Sequence, residues 1–443
     1  MIVETPAKNT RQQRMAALMN ELWFLERDLV SDGFDRALER LGRELPLQVH
    51  SFPSGSEVFT WIIPQKWTCD EAYIERLDGQ RILDRANHPL HCSSYSAAFE
   101  GIVSREELLR HLHVHPIMPE AVPYSWKHYR KDWGFSCAAS FREQLGEEQY
   151  RVVIRARHED GHLKVGEAVA KGSSDMEFVL CAHLDHPAMA NDDLSGVLVG
   201  LEVMRALQNR KDLRYTYRLL LTPETIGSVA WLSRHEALIP RIQGGLFLEM
   251  LGTRCPHALQ LSYNGESRFD RCFLAVLQEA EPEAWHGPFR RIIGNDERQF
   301  NAPGVRVPML SLSRVFHPST GRWPYPEYHS SADTPAILSL ENLEQSVERV
   351  LAMVNRIEKD RTPVNLFRGE IFCTRYDLFV DFYQSPEENL RLFDVIQKID
   401  GTKSLQEICQ ATGASFPFVA GLMDRLERNR LIRYSDGPEK GGR

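Results

Sequence analysis

The sequence predicts an α/β protein: a mixed, mostly parallel sheet flanked by helices, with a β-rich insert and a C-terminal winged helix-turn-helix. Three observations carry that expectation. From about residue 133 to 360, short apolar runs alternate with helix-period segments, as in a largely parallel sheet. Between 51 and 125 the texture is instead one of short strand-like runs broken by Pro, Gly, Asp and Asn. Beyond about 365, three short helical patterns precede a strand and a turn. The domains expected are therefore a sheet-and-helix domain formed by 1–50 and 126–365, an insert at 51–125, and a winged helix at 366–443.

Taken in order, 14–48 reads as helix, because Leu18, Leu22, Phe24, Leu25, Leu29 and Phe34 recur at roughly helical spacing. HPIMPEAVPYSW, with its three prolines, returns the chain from the insert. YRVVIRAR, the turn HEDG and HLKVGEAVA read as a hairpin. MEFVLCAH is a buried strand and SGVLVGLEVMRALQNR an amphipathic helix. YTYRLLL, GGLFLEML and VRVPMLSLSR are further strands; SRFDRCFLAVLQEA and the segment opening at Ser339 are helices. No long-period repeat or low-complexity tract is evident, and the tail GPEKGGR reads as disordered.

Composition narrows the function. At 443 residues the chain is long enough for two or three domains, and a net charge of -8 argues against nucleic acid as the main partner. The eight cysteines, at 69, 92, 137, 181, 255, 272, 373 and 409, show no CxxC spacing, which excludes a zinc ribbon and points to a reducing compartment. MIVETPAKNTRQQRM lacks the apolar core of a signal peptide, and no run of eighteen apolar residues exists to span a membrane. A cytoplasmic location with no membrane partner is expected. From Ser404 to Asp436, Arg425, Arg428, Arg430 and Arg433 are matched by Glu407, Asp424, Glu427 and Asp436. That balance suits a protein-contact module better than a DNA reader, so a homo-oligomer formed through the insert or the winged helix is a natural expectation.

The chemistry concentrates at strand ends. In CAHLDHPAMANDDLSG, alternation places His183 and Asp185 on one side of the chain where a strand runs out, and Asp192 follows in the loop before a helix. An imidazole and a carboxylate are zinc-type ligands, and a second carboxylate can orient the histidine. Alone, such a pair is an ordinary polar strand end, and Asp192 or Asp193 an ordinary N-cap. Later strand ends repeat the theme: TPE delivers Glu224, FLEM carries Glu249 within an apolar run, and PEYHSSADT presents Tyr328 and His329. An unpaired carboxylate in such a run costs several kcal/mol, so Glu249 needs a partner.

HLD…NDDLSG, PETIGS, FLEM and YHSSADT together resemble the co-catalytic zinc aminopeptidase family, whose members include leucyl aminopeptidases, glutamate carboxypeptidase and glutaminyl cyclase. FPSGSEVFTWIIPQKW, YRKDWGF, NDERQFNAPG and PEYHSSADT resemble, more narrowly, a bacterial aminopeptidase-like group with a β-rich insert and a C-terminal winged helix. The resemblance spans nearly the whole chain. It implies one or two zinc ions per chain, held by His183, Asp192 as bridge, Glu224, Glu249 and His329, with Asp185 fixing His183. It also marks Asp192–Asp193 as a candidate cis peptide. The family pairs two glutamates where this chain has Pro223-Glu224, so Glu224 is either general base or ligand; if ligand, His186 or Asp193 is the nearest proton carrier.

The implied function is a zinc-dependent aminopeptidase or related amidohydrolase acting on a small peptide or aminoacylated substrate, with Glu224 and Asp185 serving catalysis and Tyr328 either donating to an oxyanion or packing in the core. In GNDERQFNAPG, Asp296 and Glu297 are expected to hold a substrate amine and Arg298 a carboxylate or phosphate, unless the loop is merely solvated. VFHPSTGRWPYPEYH, with His317, Trp323 and Tyr325, has the makings of a lid, and the insert of a gate that narrows access. Two rival readings are an amide hydrolase acting on a sugar or antibiotic precursor, and a binding protein that has kept the fold without turnover.

Overall fold

A computed structural model of the chain describes residues 11–435. The leader reading at the N-terminus and the GPEKGGR tail fall largely or wholly outside the described residues. The chain divides into two compact units, Met1–Gly265 with Glu281–Arg349, and Glu266–Ala280 with Val350–Arg443.

The first unit is built on an eight-stranded mixed sheet. In spatial order its strands are Gln48–Pro53, His162–Ala170, Thr216–Thr222, Glu177–His183, Ile242–Glu249, Met309–Arg314, His257–Gln260 and Trp285–Gly287. Glu177–His183 runs parallel to both its neighbours, Thr216–Thr222 and Ile242–Glu249, and Ile242–Glu249 runs parallel to Met309–Arg314. All seven residues of Glu177–His183 are buried, as expected of a central parallel strand covered on both faces. The helix Gly196–Gln208 follows directly from that strand's loop and buries Val197, Leu198, Leu201 and Met204. Because the parallel strands share a direction, their carboxyl ends line up, and the loops leaving them meet.

Two expected elements come out differently. The segment 14–48 is two helices, Arg11–Leu22 and Asp32–Glu44, rather than one. Ser31 caps the second by accepting a hydrogen bond from the Phe34 amide (3.1 Å), and a Cβ on Gly33 would lie 1.9 Å from the Glu26 carbonyl oxygen. The intervening turn holds Arg27, fully buried. Its guanidinium donates to the carbonyls of Leu22 (2.5 Å), Trp23 (3.0 Å), Leu184 (2.8 Å) and Met189 (2.9 Å).

The expected hairpin at 150–170 does not form. Gln149–Glu159 pairs with Lys66–Glu75 and Phe99–Ser104 in a separate four-stranded sheet completed by Arg81–Asp84, while His162–Ala170 joins the large sheet. The sheet begun in the 51–125 segment therefore takes a strand from beyond residue 125. Its core is also shared: Trp67, Tyr95, Phe135 and Val152 belong to one buried apolar cluster with Leu163, Val165, Leu220 and Phe247.

In the second unit, Pro386–Ile396, Leu405–Thr412 and Phe416–Arg428 are helices packed around Leu392, Val395, Leu405, Ile408, Val419, Leu422 and Leu426. Ser404 and Glu407 form a reciprocal capping box, and Gly413 closes that helix at φ 68°. The strand Ile432–Tyr434 pairs antiparallel with Pro363–Asn365, so its partner precedes the expected boundary at 366. Arg268 and the Gln406 amide share Asp360, the former at 2.5 Å and the latter at 2.7 Å. Among the described residues no helix is long and apolar enough to cross a membrane.

Candidate metal centre

Four strand ends of the large sheet deliver the site. His183 closes Glu177–His183, Glu224 follows Thr216–Thr222, Glu249 closes Ile242–Glu249, and His329 lies in the loop after Met309–Arg314. Asp192 sits at the centre. Its Oδ1 lies 2.9 Å from His183 Nε2 and 3.5 Å from His186 Nδ1, and its Oδ2 lies 2.9 Å from His329 Nε2. The peptide between Asp192 and Asp193 is cis. Asp193 turns away from the cluster to accept from the amides of Gly196 (3.0 Å) and Met250 (2.8 Å).

The loop carrying Asp192 is held from outside. Asp333 accepts from the amides of Asn191 (2.7 Å) and Asp192 (3.1 Å) and from the Tyr325 hydroxyl (2.8 Å). Burial pushes Asp333 up to about 7, partly offset by those donors. The loop that follows His183 is gripped by Arg27 through the Leu184 and Met189 carbonyls. His186, Thr225, Met250 and His329 all adopt positive φ, at 77°, 62°, 52° and 53°. Non-glycine residues rarely do so, and they gather where surrounding structure over-determines the backbone.

Two groups of ligand-type side chains converge here: His183, His186 and Asp192, and Asp185, His186 and Glu224, the ligand atoms of each lying within 4.8 Å of one another. His329 joins through Asp192. Glu249 is fully buried but is a member of neither group; its Oε1 accepts from Asn295 Nδ2. His183 Nδ1, His186 Nδ1, Asp192 Oδ2, Glu249 Oε2 and His329 Nε2 are buried, and outside the close ion-pair contacts of the cluster itself none has a hydrogen-bond partner. Buried polar atoms are nearly always paired, so such a concentration of unpaired lone-pair donors fits a divalent cation. Burial alone would lower His183 and His186, yet the surrounding carboxylates, Asp192 foremost, raise both well above 6.5. Burial opposes ionisation of Asp192 too, and His186, His183 and His329 overcome it, holding that carboxyl well below its usual value. Nitrogen and oxygen donors of this kind suit zinc, with His183, His186, Asp192 and His329 the residues that would hold it and Glu249 and Glu224 the carboxylates beside them.

Several roles differ from those the sequence suggests. The carboxylate beside His183 Nδ1 is Asp296 Oδ2, at 3.5 Å, and not Asp185. Asp185 Oδ1 instead accepts from the Glu224 amide (2.7 Å), fixing the turn that presents Glu224. Asp296 and Glu297 are fully buried and already engaged. Asp296 accepts from the Thr225 amide (3.1 Å) and from Ser228 Oγ; Glu297 accepts from Gln260 Nε2 (2.9 Å) and the Asn295 amide (2.8 Å). Neither can hold a substrate amine. Of that trio only Arg298 reaches the cleft beside the cluster, a cavity of about 190 Å³ also lined by Trp61, Trp126, Tyr129, Glu224 and His329. Tyr325 is buried on Asp333 and does not face substrate; Trp323, exposed, donates to the Ile292 carbonyl (3.0 Å) and is not among the residues lining this cavity. Tyr328 stacks on the His329 ring at 3.9 Å and 13°, and burial together with Asp192 keeps its hydroxyl well above 10, protonated.

His186 and Asp333 are the participants that sequence reasoning underused. His186 stands three residues after His183 in HLDH; that spacing was its signal, but the family resemblance directs attention elsewhere. A further His–carboxylate group, His50, Glu167 and His235, is internally satisfied: Glu167 pairs with Arg218 and accepts from Trp231 Nε1 (3.3 Å).

A mixed sheet with histidines and carboxylates gathered at its strand ends defines the class, and comparison agrees. The fold is that of the zinc aminopeptidases: a zinc aminopeptidase from Bacillus subtilis superposes with a TM-score of 0.58 at 16% identity, over 78% of this chain and 94% of that one. The M28 peptidase precursor of Shewanella amazonensis superposes at 0.53 and 13%, over 79% and 96%. The chain belongs to the family described as Domain of unknown function (DUF4910), whose model matches residues 16–360. A protein of Clostridium acetobutylicum, named for polysaccharide biosynthesis and an aminopeptidase-like domain, is 31% identical over 425 residues, which is 94% of this chain and 95% of that relative. A crystal structure described as a peptidase of the same organism superposes at 0.85 with 30% identity, over 96% of each chain.

Proposed function

We propose that this protein is a zinc-dependent aminopeptidase or a closely related amidohydrolase. One observation carries the reading: His183, His186 and His329 close on a single carboxylate, Asp192, at the carboxyl ends of parallel strands. A bound zinc ion would supply Lewis acidity and acidify a water at the site. The chain supplies the rest. Burial works against the Glu224 carboxylate, but a cation held at the cluster would favour its ionised form, which can accept a proton. Its side chain is 30% exposed on the cleft, where a leaving amine can be reached. Asp185 fixes the backbone of that residue, and the protonated Tyr328 can donate a hydrogen bond to a developing oxyanion. The name of the Clostridium relative supports a second reading, in which the amide is carried by a saccharide.

Elemental analysis of the purified protein, alongside a screen of aminoacyl anilides, tests the proposal. We expect zinc to co-purify and chelation to abolish cleavage. His186→Ala and His329→Ala should each lose metal and activity together while circular dichroism stays native, because both residues lie in loops. Undiminished anilide cleavage after exhaustive chelation, or in His329→Ala, would sink the reading.

A further inference from the structure

One wall of the cleft is aromatic, and amide hydrolysis as such does not require it. Trp61, Trp126 and Tyr129 are 36%, 48% and 61% exposed, yet all line the cavity that holds Asp185, His186, Glu224 and His329. They sit on two tips of chain tied together by the Tyr129 hydroxyl, which donates to the Ile62 carbonyl (2.6 Å). The first tip is anchored on either side of Trp61 by the buried Val58 and Ile63. Trp126 meets the His329 ring edge-to-face, the centroids 5.9 Å apart. Large aromatics left half in water beside a polar cluster usually mark a binding face.

Arg298 adds a charge. Its Nε donates to the Asn295 carbonyl (2.9 Å) and its Nη2 to Thr225 Oγ1 (3.3 Å), which fixes the fork; Nη1 makes no hydrogen bond or ion pair among the described residues. His128 also lines the cavity, and its Nε2 is buried without a hydrogen-bond partner. An apolar side chain gains by leaving water on all sides, and this open wall offers contact on one face only. A sugar ring has the complementary character, with an apolar C–H face for the indoles and hydroxyls for water and His128.

From this we infer that the substrate is an amide borne on a sugar ring with an anionic substituent: ring against Trp61 and Trp126, anion on Arg298, amide toward the histidine cluster. The inference rests on the amide-hydrolase reading above, and its test reads binding separately from turnover.

The probe is N-acetylglucosamine 1-phosphate, titrated into the full-length, metal-loaded protein by calorimetry. N-acetylglucosamine, inorganic phosphate and phenylalanine amide serve as the other arms. We expect the sugar phosphate to bind more tightly than either of its parts. Trp61→Ala, Trp126→Ala and Arg298→Gln should each weaken it roughly tenfold with metal content unchanged. Trp61→Phe and Trp126→Phe should restore most of the loss, which a merely misfolded variant would not do. Sugar phosphate binding no tighter than phosphate alone, or weaker than phenylalanine amide, overturns the inference. If anilides are cleaved while the sugar phosphate fails to bind, this inference falls and the hydrolase stands. If it binds as expected and the metal-loaded protein cleaves no amide, the hydrolase reading falls.

Discussion

His257 shows how one residue sets an acid limit on this fold. It is buried; its Nδ1 lies 2.5 Å from Glu281 Oε2 and its Nε2 3.0 Å from Ser346 Oγ. Burial lowers it to about 4, against an ordinary histidine value near 6.5, despite the carboxylate beside it. The folded state thus binds fewer protons than the unfolded chain once pH drops below 6.5, and the stability this represents declines from pH 6.5 to 4. The full span is on the order of 3 kcal/mol as an upper bound. In His257→Asn, the slope of unfolding free energy against pH in that window should flatten; an unchanged slope in urea titrations would refute it. Arg27 makes the second residue-scale case. Replacing it by Met leaves the Leu184 and Met189 carbonyls buried without a donor, at a cost of about 1–3 kcal/mol each. Because those carbonyls belong to the loop bearing Asp185 and His186, zinc affinity should fall with stability. A variant with native metal affinity would show that the loop holds itself.

At the scale of elements, the alternation of strands and helices was readable because each strand of the large sheet is a short apolar run bounded by polar turns. His183, Asp192, Glu224 and His329 were readable for a related reason: a polar residue at the close of an apolar strand stands out. The pairing of Gln149–Glu159 was not. HEDG between two apolar runs suggests a local hairpin, but strand period alone cannot say which edge a strand joins, and here non-local partners won. Nor were Asp296 and Glu297 readable as buried. Composition does not separate a solvated polar loop from one whose carboxylates are satisfied by neighbouring amides, hydroxyls and a glutamine. The long first helix failed at a cap: Ser31 and Gly33 start a new helix. Ser31→Ala should cost about 1 kcal/mol in chemical denaturation, and a change indistinguishable from zero would mean the cap contributes nothing.

For the whole molecule, the consequence lies in the shared core. Excising 51–125 removes both ladder partners of Gln149–Glu159 and strips Trp67 and Tyr95 from a cluster that also holds Leu163 and Phe247. A fully buried large apolar side chain is worth about 1.5–3 kcal/mol, and a domain's net stability is only about 5–15. Such a deletion should therefore yield insoluble or molten protein, seen as loss of near-ultraviolet circular dichroism. A soluble, cooperatively melting product would show that the two sheets are energetically separable. On the proposed reading, a bound zinc ion would act at the same scale. Any ligand binding only the folded state stabilises it by mass action, by about 4 kcal/mol at a thousandfold excess over the dissociation constant, and so raises its melting point.

The tips that bear Trp61 and Trp126 differ from everything beneath them. Phe59, Trp61, Ile62, Trp126 and Tyr129 are all exposed, while Val58 and Ile63 are rooted inside. Descendants of this chain could therefore trade one clientele for another by rewriting a handful of letters there, without endangering the scaffold that cradles the histidines.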